Sequence, residues 1–363
     1  MTSRLRLPLA ACGLFLLPSL LLAQGNSANA GKKTDDSPDV QWANLLLAAK
    51  PSPGNSVNAA KGSNEQKVQI AAQAEKSRAT AASAKDFYTK NPNHPNAPEA
   101  RKLEAIAEMR GVNDGNTAHL TKAVATAKAF RENAANPLNA RVEVALAMDR
   151  LALSQKIKAR TVADRPEERE NVADAVRAEF GHTAALHDYY QEVARGADMF
   201  TAQRIATNLL QWPVDAKIRR EAQSIVDRHA LLGKSLAVTL PSIPGGPVDL
   251  ARKTGVVTVL FAWAPDGGRE MLQSLTPWRS SLRPGVQLVY LALGGTAEEI
   301  ATLQSAAPIK GRFCHQQGAA VAPTLRALKL TGLPYVYVLN RDGKLAGYGP
   351  VGELTSLLAL AMH

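Results

Sequence analysis

At 363 residues the chain is long for one domain and fits two of about 100 to 200 residues each. Its composition, 45% hydrophobic, 21% charged and 5% aromatic, excludes disorder throughout and favours small-residue helices over an all-β sandwich. The net charge of +11 comes from 43 basic residues interspersed with 32 acidic ones, a pattern that suits solubility and argues against a nucleic-acid partner.

In chain order, Arg4 and Arg6 precede an apolar run from Leu7 to Ala23, the pattern of a secretory signal peptide over residues 1–23. Cleavage follows Ala23 or, with the better small-x-small site, Ala30. Export to the periplasm or cell envelope is the expectation. An uncleaved run would be a membrane anchor, the one membrane contact foreseen. Of two cysteines, Cys12 lies in this leader, so the mature chain keeps Cys314 alone. A single thiol cannot form an intramolecular disulfide, a Cys-x-x-Cys pair or a multi-cysteine metal site.

Residues 24–38 are polar, without apolar period, and read as a flexible linker. From 39 to 232 the chain is Ala-rich with apolar residues at helical spacing, as in Leu103, Ile106 and Ala107, or Val142, Leu146 and Leu153. Breaks at Pro51–Gly54, Asn91–Pro98, Gly111–Gly115, Asn136-Pro137, Arg165-Pro166 and Trp212-Pro213 divide it into antiparallel helices. A proline followed shortly by Ala and a base recurs at Pro98, Pro137 and Pro213, with the alanines (Ala100, Ala140, Ala216) 40 and 76 residues apart. Hairpin repeats of the tetratricopeptide or HEAT kind would give such spacing, and so would chance in Ala-rich helices.

The turn-rich stretch Pro241–Pro247 marks a change of texture, and residues 233–363 read as an α/β domain. Val256–Trp263 and Val286–Leu293 are nearly continuous apolar runs, as in strands buried on both faces of a parallel sheet. Arg269–Leu282, Ala297–Ala306, Val321–Leu330 and Val351–Met362 have helical length, and Tyr335–Asn340 and Lys344–Tyr348 flank an Asp-Gly hairpin turn. The expected order is β-α-β-α, a helix, a hairpin and a final helix.

That order, with Leu232–Leu236, Gly246–Leu250, Thr258–Met271, Leu333-Pro334 and Asn340–Lys344, resembles the thioredoxin fold of exported TlpA-like thiol-disulfide oxidoreductases and the related alkyl-hydroperoxide-reductase group. The resemblance implies a thioredoxin-like domain with a cis-proline at Pro334, 68 residues after Asp266. It also implies a Cys-x-x-Cys pair, and here the chain departs: aligned on Phe261 and Met271, the two cysteine positions hold Asp266 and Arg269. Without sulfur the relay of thiol-disulfide exchange is missing. Asp266 reads as a helix N-cap supported by Glu270 in the first turn.

Cys314 reads as a core thiol at the end of a strand; the sharper reading is a reactive cysteine favoured by Arg312 and His315. His94, His119, His182, His187, His229 and His363 lack metal-ligand spacing and are expected at the surface. No metal or cofactor is expected. The leading expectation is an exported, non-catalytic module that binds a protein or peptide segment of the cell envelope. Its groove would be lined by Trp263, Pro265, Asp266, Leu333 and Pro334, with Leu333 offering its backbone to an extended segment. The alternative is a one-cysteine oxidoreductase or peroxidase using Cys314, so the sequence leaves enzyme and binding module both standing.

Overall fold

The computed structural model describes residues 37–50, 64–115, 117–243, 245–266, 272–273, 275–279, 284–330 and 332–362. The leader, all but the end of the 24–38 linker, the Pro51–Gly54 break, Arg269 and most of the helix expected from Arg269 lie outside the described residues. The helical part runs through α1 (Pro38–Ala49), α2 (Asn64–Lys90), α3 (Ala97–Asn113), α4 (Leu120–Glu132), α5 (Leu138–Lys158), α6 (Pro166–Phe180), α7 (Ala184–Gly196), α8 (Met199–Gln211) and α9 (Ala216–His229). Ser37 caps α1 by accepting from the Val40 N–H, so the helix begins where the linker was expected to end.

Of the expected breaks within the described residues, Asn136-Pro137 and Trp212-Pro213 fall between helices, Asn91–Pro98 and Arg165-Pro166 run into the first turn of the next helix, and Gly111–Gly115 begins too early, because α3 continues to Asn113. Pro98 occupies the first turn of α3 and Pro166 opens α6, where a missing N–H costs nothing. Pro137 stands at the N-cap of α5, so the recurring proline signature marks helix starts. Leu103, Ile106 and Ala107 are buried, as are Val142, Leu146 and Leu153. Asp198 and Asp215 cap α8 and α9, accepting from Thr201 N and Ile218 N at 3.1 and 2.8 Å.

Strand then replaces helix: β1 (Thr239–Leu240), β2 (Ser242–Ile243), β3 (Val248–Asp249), β4 (Val257–Trp263), β5 (Val286–Leu293), β6 (Arg312–Gln316), β7 (Tyr335–Leu339) and β8 (Leu345–Gly349). Among the described residues, α10 (Ala297–Ala306), α11 (Val321–Ala327) and α12 (Leu354–Met362) follow or intervene. The main sheet has the order β2-β6-β5-β4-β7-β8; β4, β5 and β6 are parallel, while β2, β7 and β8 run antiparallel to their neighbours. The parallel crossover from β5 to β6 carries α10. All seven residues of β4 are buried, as a strand covered on both faces requires. Each large side chain there contributes about 1.5–3 kcal/mol by leaving water.

The expected order omitted β6. Its Arg-Phe-Cys-His-Gln sequence disguises a sheet strand paired on both sides, and Cys314 lies in its middle, not at its end. The hairpin β7–β8 forms around Asn340, whose side chain accepts from the Asp342 and Lys344 N–H groups. Contacts divide the chain into two compact units, one ending at Tyr189 and one beginning at Tyr190. Helix α9 ends at His229 and the first strand begins at Thr239, whereas the compact units divide earlier. The cause is burial: Met199 of α8 joins the core of the sheet, the Arg228 guanidinium of α9 lies over its Tyr335 and Tyr348 rings, and the His229 ring meets Tyr348 edge-on.

Candidate functional site

Three chain segments converge at the C-terminal end of β4. The register of β4 with antiparallel β7 ends at Ala262↔Tyr335, so the next residues out, Trp263 and Ala264, face Pro334 and Leu333. The Leu333–Pro334 peptide bond is cis, as the resemblance implied. Leu333, Pro334 and Pro265 are half-buried and Asp266 is exposed. The third segment is the turn after β5. There Gly294 accepts from the His315 ring at 3.0 Å and donates its N–H to Gln316 O at 2.8 Å, tying the turn to β6. Gly295 has φ +72°, and a side chain on it would meet Pro265 Cγ at 2.6 Å, so Pro265 rests on bare backbone. Thr296 and Glu299 then close a capping box at the start of α10.

Of the residues expected to line a groove, Pro265, Asp266, Leu333 and Pro334 therefore gather at one edge. Trp263 is fully buried, so it lies beneath that edge in the core and presents no wall; a strand covered on both faces leaves its last indole inside. Its Nε1–H has no acceptor among the described residues. Arg269 lies outside them. The edge offers an exposed carboxylate, apolar prolyl surface and the Leu333 backbone, and no thiol among its described residues.

Cys314 is elsewhere. It pairs with Leu291 of β5 and Ser242 of β2, two strands away from β4, and is fully buried. Burial pushes its thiol up to about 11, and the Arg312 charge offsets this only in part. Arg312 is bound to Gly246 O and lies 3.5 Å from Ser242 Oγ, and His315 holds Gly294, so neither flanking base is devoted to the sulfur.

The histidine expectation needs correction. His187 is buried, with His182 Nδ1 3.3 Å from its Nε2, and His94 and His229 are half-buried. Five residues apart, the two rings still meet, because His182 precedes α7 and is free of its helical phase. Among the described residues no group of three or more His, Cys, Asp or Glu is placed to hold a metal ion.

No family model matches the chain, and no curated protein matches it. Solved structures do match its C-terminal part. One assigned as the thiol:disulfide interchange protein DsbE of Chlorobium tepidum is 21% identical, covers 36% of this chain and 98% of its own, and gives a TM-score of 0.31. A secreted Mycobacterium tuberculosis disulfide oxidoreductase is 19% identical, with 34% and 96% covered and a TM-score of 0.29. StoA from Bacillus subtilis is 14% identical, with 33% and 95% covered and a TM-score of 0.27. The strand order, the parallel β4–β6 core, the antiparallel β7–β8 hairpin and the cis-proline before β7 together give the C-terminal part of the chain a thioredoxin-like fold.

Proposed function

We propose that the protein is an exported binding module whose thioredoxin-like domain has exchanged catalysis for recognition of an extended protein segment in the cell envelope. The observation that carries this reading is the edge itself: the exposed Asp266, which the resemblance aligns with the first cysteine, follows the end of β4 opposite the half-buried Leu333–Pro334 segment, while Cys314 is buried two strands away. A partner strand running past Leu333 would exchange backbone hydrogen bonds with it, and alternate side chains would meet Pro265 and Pro334. Asp266 favours segments carrying Lys or Arg, against the net basic charge of the chain. Export rests on the leader sequence; among the described residues no helix is long and apolar enough to cross a membrane.

Burial of Cys314 weighs against the one-cysteine enzyme, because the nucleophile is the thiolate and the fold disfavours it. The mature protein is expected to leave insulin disulfides intact in the presence of a thioredoxin-type reductant. Turnover that disappears in Cys314→Ser would overturn the reading. Binding is tested with a photo-crosslinking residue at position 333 in envelope extracts, where Asp266→Lys should cut the yield for any Lys- or Arg-rich partner segment. A partner retained in full by the helical region alone would move the function out of the thioredoxin-like domain.

A further inference from the structure

Arg228, near the end of α9, is 3% exposed, and no carboxylate pairs with it among the described residues. A buried cation without a counter-ion is costly, so the contacts it does make identify its role. Its Nε and Nη2 both donate to Lys329 O, at 3.0 and 2.6 Å. Its guanidinium lies 4.4 Å from the centre of the Tyr335 ring and 5.6 Å from that of Tyr348. Lys329 and Tyr335 are the two shoulders of the loop that carries Leu333–Pro334. One side chain therefore grips both ends of that loop.

The grip is reinforced from the same helix. Ser224 Oγ, one turn earlier, donates to the same Lys329 carbonyl at 2.8 Å. Lys329 has φ +53°, a left-handed conformation that a lysine adopts only when its surroundings hold it there. Tyr337, behind the loop, donates its hydroxyl to Leu328 O, so two successive carbonyls are pinned from the protein side. The Lys329 side chain reaches back to Asp227 at 3.6 Å.

We propose that Arg228 is the positioning residue of the Leu333–Pro334 loop, and that α9 is a working part of the thioredoxin-like domain, setting where the loop presents its backbone. That the loop then receives a partner strand rests on the function proposed above; that Arg228 holds it does not. The test is hydrogen exchange on the mature full-length protein, comparing wild type with Arg228→Lys and Arg228→Met. Peptides covering 328–336 should lose protection about tenfold or more in both variants, with 257–263 and 286–293 unchanged, since a charge-assisted fork to one carbonyl has no equivalent in Met or Lys. Full protection in Arg228→Lys would show that charge alone suffices and overturn the proposal. Equal loss across the whole sheet would also overturn it, by reducing Arg228 to a general packing role. Should both variants fail to fold, Ser224→Ala decides: a smaller loss confined to 328–336 supports the proposal, and no loss there overturns it. If Arg228 passes while crosslinking from position 333 finds no partner, the binding reading fails alone.

Discussion

The environment of Cys314 fixes what the thiol can do. With its folded pKa raised to about 11 from an ordinary value of 9.0, the neutral thiol is favoured by the fold. The stabilising contribution is full below about pH 9 and is lost as pH rises through about 11, because the unfolded chain ionises first. Buried Tyr290, Tyr337 and Tyr348 are raised by burial too and act with the same sign at still higher pH. Folded protein should resist thiol reagents at pH 8 and react at once in denaturant. Urea midpoints should fall between pH 8 and 10, and Cys314→Ala should shrink that fall. Rapid labelling of the folded chain would contradict the burial. Much of this was legible: the core-thiol reading needed only an apolar neighbour in Phe313, and the side-chain alternation of strands already separated Cys314 from His315. What was not legible is how Arg312 and His315 are engaged, because Gly246 and Gly294 are distant in sequence.

Among the elements, the turn between β5 and α10 makes the sharpest demand on sequence. Gly295 must adopt positive φ and leave room for Pro265, so Gly295→Ala should cost roughly 2 kcal/mol or more from left-handed strain and overlap together. Thr296→Ala, which only removes the cap of α10, should cost about 1 kcal/mol. Chemical denaturation of the two variants checks the ranking, and a Gly295→Ala cost no larger than that of Thr296→Ala would mean that Pro265 moves aside freely. The Gly294-Gly295 pair reads from sequence only as a turn, since its steric partner is contributed by the end of β4. The same logic separates the strands. β4 and β5 announce themselves as apolar runs, and β5 is found at the bounds read from sequence, Val286–Leu293. β6 hides because only Phe313, Cys314 and His315 are buried among five residues, and its strand character comes from neighbours on both sides. The two-residue strands β1, β2 and β3 owe their existence wholly to pairing. Trp263 shows the converse: its place on β4 was legible, but its depth depends on what covers the sheet.

At the scale of the molecule, the change of texture at Pro241–Pro247 and the compact-unit boundary at Tyr190 are different events. Composition changes where helix gives way to strand. Compactness is decided by burial, and α8 and α9 bury against the sheet. Met199 lies in its core, the His229 ring stands 3.2 Å from the Tyr348 hydroxyl, and Arg228 covers Tyr335. A chain starting at residue 233 would therefore expose the faces of Tyr335 and Tyr348 to water, free the Lys329 carbonyl, and keep only the tyrosines' own stacking, with ring centres 6.1 Å apart. A fragment of residues 197–363, which retains the Asp198 cap of α8, should unfold in one cooperative transition by urea and bind little hydrophobic dye. The fragment 233–363 should show a lower midpoint and a shallower slope, with dye binding already in buffer, as expected when apolar surface and loop contacts are lost together. Equal midpoints for the two fragments would return the folding boundary to 232 and make α8 and α9 passengers on a domain complete without them.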